Sequence, residues 1–136
     1  MKADLWLVDT SVWIEVMPSR GAIPELRERL DMLIAEDQVA TTGMILLELL
    51  GGARSDDEYQ RLLDLMSALH VLNADEQIWQ KASRLAFELR RKGLTIPFTH
   101  ILIAAVALQG DTTLLHRDRH FDILASQVSL KVESYV

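Results

Sequence analysis

Leu5-Trp6-Leu7-Val8 is an unbroken apolar run that stops at an acid, Asp9. A strand with one solvated face alternates apolar and polar residues. A run apolar at every position belongs instead to a sheet covered on both faces. Further short runs, Gln38–Thr41, His70-Val71-Leu72 and Leu114–His116, read as strands separated by helix-length segments. Val128–Val132 alternates apolar with polar and predicts a last, more exposed strand. Strands alternating with helices predict an α/β fold: a mostly parallel sheet with helices on both faces.

The intervening segments carry helix punctuation. Asp9-Thr10-Ser11 supplies cap residues for a short helix through Trp13 and Ile14, and Pro18-Ser19-Arg20-Gly21 breaks it. Pro24 suits the first turn of a second helix, whose apolar face is Leu26, Leu30, Leu33 and Ile34. Met44–Leu50 forms a third, closed by Gly51-Gly52. Tyr59, Leu62, Leu63, Leu65, Met66 and Leu69 mark a fourth. Asp75 caps a long helix carrying Ile78, Trp79, Ala82, Leu85, Ala86 and Leu89, which Gly93 stops. Pro97 and Thr99 precede a helix over Ile101–Leu108. Phe121, Ile123 and Leu124 read as a short turn or helix. With 136 residues, the chain suits one domain, residues 1–136.

Composition narrows the chemistry. The chain has no cysteine, which removes disulfides, thiolate metal sites and catalytic thiols and fits a reducing cytoplasm. The first residues form neither a secretory signal nor a membrane span, which needs about 20 apolar residues. A cytoplasmic protein without membrane contact is the expectation. The net charge of −6 argues against nucleic-acid binding by bulk attraction. Contact with nucleic acid would rest on local patches, Arg90-Arg91-Lys92 and Arg117 with Arg119, and on a cation that offsets the acids.

Four positions are candidates for one site. In open parallel sheets, functional residues gather at the carboxyl ends of strands, where strand order reverses. Asp9 and Asp118 each lie at or just after such an end. Glu48 sits in an apolar helix, on a face shared with Met44 and Ile45, and is expected to be largely buried. His100 opens a helix and shares a face with Ile103 and Ala104. Taken singly, each has a plain alternative: helix cap, turn residue, surface acid or core histidine. Taken together they repel, because two carboxylates about 4 Å apart cost about 4 kcal/mol at an effective dielectric near 20. A divalent cation offsets that repulsion, and oxygen ligands favour Mg²⁺ or Mn²⁺. Such a cation hydrolyses phosphodiesters by polarising a phosphoryl oxygen and activating water. Aspartyl phosphoryl transfer fits less well, because Ser11 stands where a second Asp is needed. An adhesive Asp-x-Ser-x-Ser site is half met, because position 13 is Trp13.

Four segments in order resemble the PIN-domain family, and most closely the VapC toxins of toxin–antitoxin pairs. They are Leu7-Val8-Asp9-Thr10-Ser11-Val12-Trp13-Ile14, Thr42–Leu50 with Glu48, Leu94–Ala105 with His100, and Leu114-Leu115-His116-Arg117-Asp118-Arg119-His120-Phe121. The resemblance covers nearly the whole chain. It implies a PIN-like three-layer fold, a parallel five-stranded sheet flanked by helices. It also implies an endoribonuclease dependent on Mg²⁺ or Mn²⁺, with RNA as substrate, a VapB-like antitoxin as partner, and a homodimer. Asp9, Glu48 and Asp118 inherit the acidic, metal-holding roles. Thr10, Ser11 and His116 inherit supporting ones, and Arg117 or Arg119 would contact substrate phosphates. Asp122 is a weaker acidic candidate, expected to be a cap. Trp13, Ile14 and Phe98 are candidates to line an antitoxin groove.

One position departs from the family pattern. His100 stands where the family carries its third acid. Imidazole removes a negative charge and suits Mn²⁺ or Zn²⁺ better than Mg²⁺. Weaker Mg²⁺ binding and reduced activity are expected. The competing reading is a PIN fold that holds RNA or an antitoxin without cutting.

Overall fold

The computed structural model describes residues 4–17 and 23–136. In chain order the elements are β1 (Trp6–Val8), α1 (Thr10–Glu15), α2 (Pro24–Ala35), β2 (Val39–Thr41), α3 (Gly43–Gly51) and α4 (Asp56–Ser67). Then come β3 (His70–Val71), α5 (Glu76–Arg91), α6 (Phe98–Gln109), β4 (Thr113–His116), α7 (Arg119–Gln127) and β5 (Val132–Ser134). The break expected at Pro18-Ser19-Arg20-Gly21 lies outside the described residues.

The strands form one five-stranded sheet in the order β3-β2-β1-β4-β5, with every neighbouring pair parallel. Right-handed crossovers fix the layers. The chain steps one way from β1 to β3 and then the other way from β4 to β5. Helices of the first half therefore cover one face, and those of the second half cover the other. Within each half, α1 touches α3 and α3 touches α4, while α5 touches α6 and α6 touches α7; α3 also meets α6 across the division. The reversal falls between β1 and β4, whose register pairs Val8 with Leu115.

The unbroken apolar runs are the sheet's interior. Leu7, Val8, Ala40, Leu114 and Leu115 are fully buried. On α6 the seven residues Ile101–Ala107 are all buried, so this helix is apolar around its circumference and lies inside the molecule. In contrast, α5 buries one stripe, Ile78, Ala82, Leu85 and Leu89, at three- and four-residue spacing. The Asp75 carboxylate accepts from the Ile78 N–H and starts it. Gly93 stops it at φ +78°, a left-handed turn that suits glycine.

Several boundaries shift by a residue or two, and the last strand and the helix at Ile101 differ more. The last strand is Val132–Ser134 rather than Val128–Val132, because α7 runs on to Gln127 and Val128–Lys131 becomes the connection. Leu130 is buried as a loop residue, which is why the stretch mimics a half-buried strand. Of the turn or helix expected at Phe121, Ile123 and Leu124, the structure shows the helix, α7, nine residues long. The helix expected at Ile101 begins at Phe98, which puts His100 inside its first turn.

Candidate active site

Asp9 closes β1 and caps α1. Its backbone N–H donates to the Leu115 carbonyl at 2.9 Å, which seats it beside the end of β4. Its side chain is almost fully buried, at 3% exposure. Oδ2 accepts from the Ser11 N–H at 3.0 Å and from the Ser11 hydroxyl at 2.6 Å, leaving Oδ1 available. Ser11 Oγ in turn accepts from the Arg117 N–H at 3.0 Å. One hydroxyl thus joins the β1–α1 turn to the β4–α7 turn.

Glu48 is held from the same turn. The Thr10 hydroxyl donates to Glu48 Oε1 at 3.1 Å, with Thr10 itself buried. Glu48 and its neighbour Met44 are half-buried, less enclosed than their apolar surroundings in sequence suggest, while Ile45 is fully buried. The helix α3 that carries Glu48 touches α6, which carries His100.

Asp118 caps α7, its Oδ1 accepting from the His120 N–H at 2.9 Å. Two imidazoles flank it. His120 Nδ1 lies 3.2 Å from Oδ1 and His100 Nε2 lies 3.5 Å from Oδ2. The two rings meet each other, with Nδ1 to Nδ1 at 3.0 Å. His100, Asp118 and His120 each offer a ligand atom, and these atoms all lie within 4.8 Å of one another. Asp9 and Glu48 stand outside that compact group.

His116 is the support beneath. It is fully buried, and its Nδ1 accepts the Asp118 N–H at 3.1 Å. That acceptor places the neutral ring's proton on Nε2. Nε2 lies 3.2 Å from Asp122 Oδ1, but its alignment does not make a hydrogen bond. Burial pushes the His116 pKa below 6.5, against the opposing pull of Asp122, Asp9 and Asp118. Those three carboxylates therefore all act on one ring, at the carboxyl end of β4. Asp122 is not the expected cap: it sits in the first turn of α7 facing His116 and accepts from the Ser134 hydroxyl at 3.0 Å.

The basic candidates divide. Arg117 pairs with Glu15 at 3.1 Å, whereas Arg119 is exposed at the start of α7 with no acid within salt-bridge distance among the described residues. Trp13 is buried, its Nε1 donating to the Val8 carbonyl at 3.2 Å, and its remaining edge lines a hollow with Val16, Met17, Leu30 and Leu62. Ile14 lines a separate hollow with Glu48 and Arg54. Phe98 stands 63% exposed beneath the Arg90 guanidinium.

His120 is the residue that sequence reading passed over. Its signal was present: when Asp118 caps a helix, position 120 falls in the first turn, beside the cap's own carboxylate.

The donor set suits a hard divalent cation. Asp9 is buried with no Lys, Arg or His within salt-bridge distance among the described residues, and a buried carboxylate without such a partner favours a bound cation.

Comparison with known proteins agrees with this architecture. The PIN domain family model matches residues 6–126. The VapC ribonuclease Mb1587 of Mycobacterium bovis is 32% identical over 133 residues, covering 95% of this chain and 98% of that protein. VapBC2 from Rickettsia felis, solved bound to a DNA fragment from its promoter, superposes with a TM-score of 0.79 at 20% identity, over 97% of this chain and 99% of that one. DNA-bound VapBC from Salmonella typhimurium gives a TM-score of 0.79 at 21% identity, over 98% and 100%. The chain belongs to the PIN domain family, alongside the VapC ribonucleases.

Proposed function

We propose that this protein is a metal-dependent endoribonuclease, a VapC-like toxin that hydrolyses RNA phosphodiester bonds. The observation that supports the reading is the pair of hydroxyl ties at the β1–β4 reversal: Thr10 bonds Glu48, and Ser11 bonds both Asp9 and the backbone of Arg117, next to Asp118. The relationship to a VapC ribonuclease over 95% of the chain supports it.

Asp9, Glu48 and Asp118 would hold Mg²⁺ or Mn²⁺. When bound, that ion supplies Lewis acidity toward a phosphoryl oxygen and toward water. Ser11 and Thr10 fix which carboxylate oxygens face the site. Oδ1 of Asp9 and Oε2 of Glu48 remain free of the bonds that orient their partners. A free carboxylate oxygen accepts a proton from the attacking water and aims it at phosphorus. Arg119 is the better-placed phosphate contact, because Arg117 is engaged by Glu15.

A VapB-like antitoxin is the partner, and a homodimer the assembly, that this reading carries with it. The hollow beside Trp13 is lined by the exposed apolar side chains of Ile34 and Leu65, at 36% and 40%. Such a surface suits the apolar face of an antitoxin helix. Among the described residues no helix is long and apolar enough to cross a membrane.

The test is cleavage of total RNA with Mn²⁺ beside an Asp9→Ala variant. Metal-dependent cleavage lost in the variant supports the reading, and equal metal affinity in both proteins ends it. A second reading rests on His100, which sets an imidazole against Asp118 where a carboxylate is expected. In it the domain binds RNA or antitoxin without cutting. RNA binding with no cleavage, even after His100→Asp, selects that reading.

A further inference from the structure

We propose that His100, Asp118 and His120 form a transition-metal site of the Zn²⁺ class, which shares Asp118 with the Asp9 and Glu48 carboxylate set and differs from it in its two imidazole donors. The site requires these three residues to bind an ion, and does not require that the chain cut RNA.

The spacing brings three ligand atoms within reach of one small ion. Ligands held about 2.0–2.2 Å from tetrahedral zinc lie about 3.3–3.6 Å from one another. Here the Nδ1 atoms of His100 and His120 lie 3.0 Å apart, His120 Nδ1 lies 3.2 Å from Asp118 Oδ1, and one ligand atom from each of the three residues falls within 4.8 Å of the others. Without an ion, two neutral imidazoles this close share a single hydrogen. With an ion between them, both ring nitrogens act as donors of electron pairs.

The donor chemistry selects the occupant. Two imidazoles and one carboxylate suit Zn²⁺, Co²⁺ or Ni²⁺, whereas Mg²⁺ demands oxygen and retains water. The chain has no cysteine to compete for such ions. Three protein ligands also leave a coordination position open, as in zinc sites that take water or substrate. Two neutral rings and one carboxylate leave a bound divalent ion with one unit of positive charge, an attraction for a phosphate at the sheet's reversal point.

The ligands are held in place. The His100 ring packs on Phe121 at 5.0 Å between centroids, and Phe121 packs on His116 at 5.2 Å. Phe121 is fully buried, so this stack is anchored in the core. Asp118 is fixed by the two backbone bonds of its cap, one given by the His120 N–H to its carboxylate and one given by its own N–H to His116. Fixed partners behind the ligands raise metal affinity, commonly by about 10- to 100-fold.

The test is titration of chelator-stripped full-length protein with Co²⁺, followed by its visible absorption, with Zn²⁺ as competitor. The expected result is one Co²⁺ per chain with intense bands of low coordination number, displaced by Zn²⁺ and unaffected by a large excess of Mg²⁺. His100→Ala and His120→Ala should each weaken binding by roughly tenfold or more. Asp9→Asn should leave it within about twofold, since Asp9 lies outside the cluster. Imidazole nitrogen resonances of the unaltered protein give a readout independent of any variant. Zn²⁺ should move the signals of His100 and His120 and leave His70 in place. His70, paired with Asp37 at the edge of the sheet, is the internal control. Zn²⁺ affinity unchanged in both histidine variants, a loss in Asp9→Asn equal to that in His120→Ala, or unmoved His100 and His120 signals would each overturn the site. RNA cleavage with Mg²⁺ in a protein that binds no Co²⁺ would remove this site while leaving the nuclease intact.

Discussion

The hydroxyl of Ser11 accepts the backbone N–H of Arg117 at 3.0 Å, across 106 positions of sequence, while donating to Asp9 at 2.6 Å. Both site turns therefore share one atom. Ser11→Ala removes a donor from a buried carboxylate and an acceptor from a backbone N–H. We expect a stability loss of about 1 kcal/mol, read by chemical denaturation. Mn²⁺ affinity should fall roughly tenfold in calorimetry, because the oxygens of Asp9 lose their orientation. An unchanged affinity would mean that the link is structural only.

His100→Asp should change stability and metal response in opposite directions. It sets a carboxylate near Asp118 in place of an imidazole 3.5 Å away. Like charges about 4 Å apart cost about 4 kcal/mol at an effective dielectric near 20, before relaxation and solvent reduce it. The metal-free variant should therefore melt lower than the parent. Mg²⁺ should restore it and should stimulate RNA cleavage more than in the parent. A variant that Mg²⁺ neither stabilises nor activates would place position 100 outside the metal-binding machinery.

The site's supports were partly legible because they are local. An apolar run closed by an acid marks Asp9, and Leu114–His116 leads to Asp118 in the same manner. The cap at Asp75 and most of the stripe on α5 could be read from spacing alone, although Trp79, expected on that stripe, is 55% exposed. What sequence did not yield depends on contacts between distant segments. Asp122 resembles a cap until β5 brings Ser134 against it and β4 brings His116. The Asp118 cap alone sets His120 beside that carboxylate, but its second partner, His100, arrives only with α6. The true start of β5 was hidden because Leu130 is buried from a loop, which local alternation cannot distinguish from a strand.

Acid stability should depend on a pair far from the site. Glu133 accepts from Arg29 at 2.8 and 2.9 Å and from the Trp6 indole at 3.2 Å, with the guanidinium stacked over the Trp6 ring. The Arg29 hydrogen bonds hold the Glu133 carboxyl below its ordinary 4.5. A depressed carboxyl contributes stability that is fully present above 4.5 and is lost as pH falls through its lower folded value. Glu133→Gln should cost about 1.5 kcal/mol at neutral pH, at the low end for a charged hydrogen bond because the pair is partly solvated. The gap between parent and variant should narrow below pH 4.5. A gap that is constant with pH, measured by urea unfolding, would remove the ion pair as its cause.

Asp9→Asn separates a ligand from a cap. Asparagine caps a helix about as well as aspartate and keeps the shape of the buried group, so the bond from the Ser11 N–H survives. The metal-free variant should unfold within about 1 kcal/mol of the parent. The parent should gain about 2.7 kcal/mol when Mn²⁺ is present at 100 times its dissociation constant. The variant should gain almost nothing at the same concentration, because the charge that draws the ion into a 3%-exposed position is gone. The two melting curves should therefore nearly coincide in chelator and separate as Mn²⁺ is added. If they shift together, the ion does not use Asp9, and the carboxylate at the end of β1 is a cap alone.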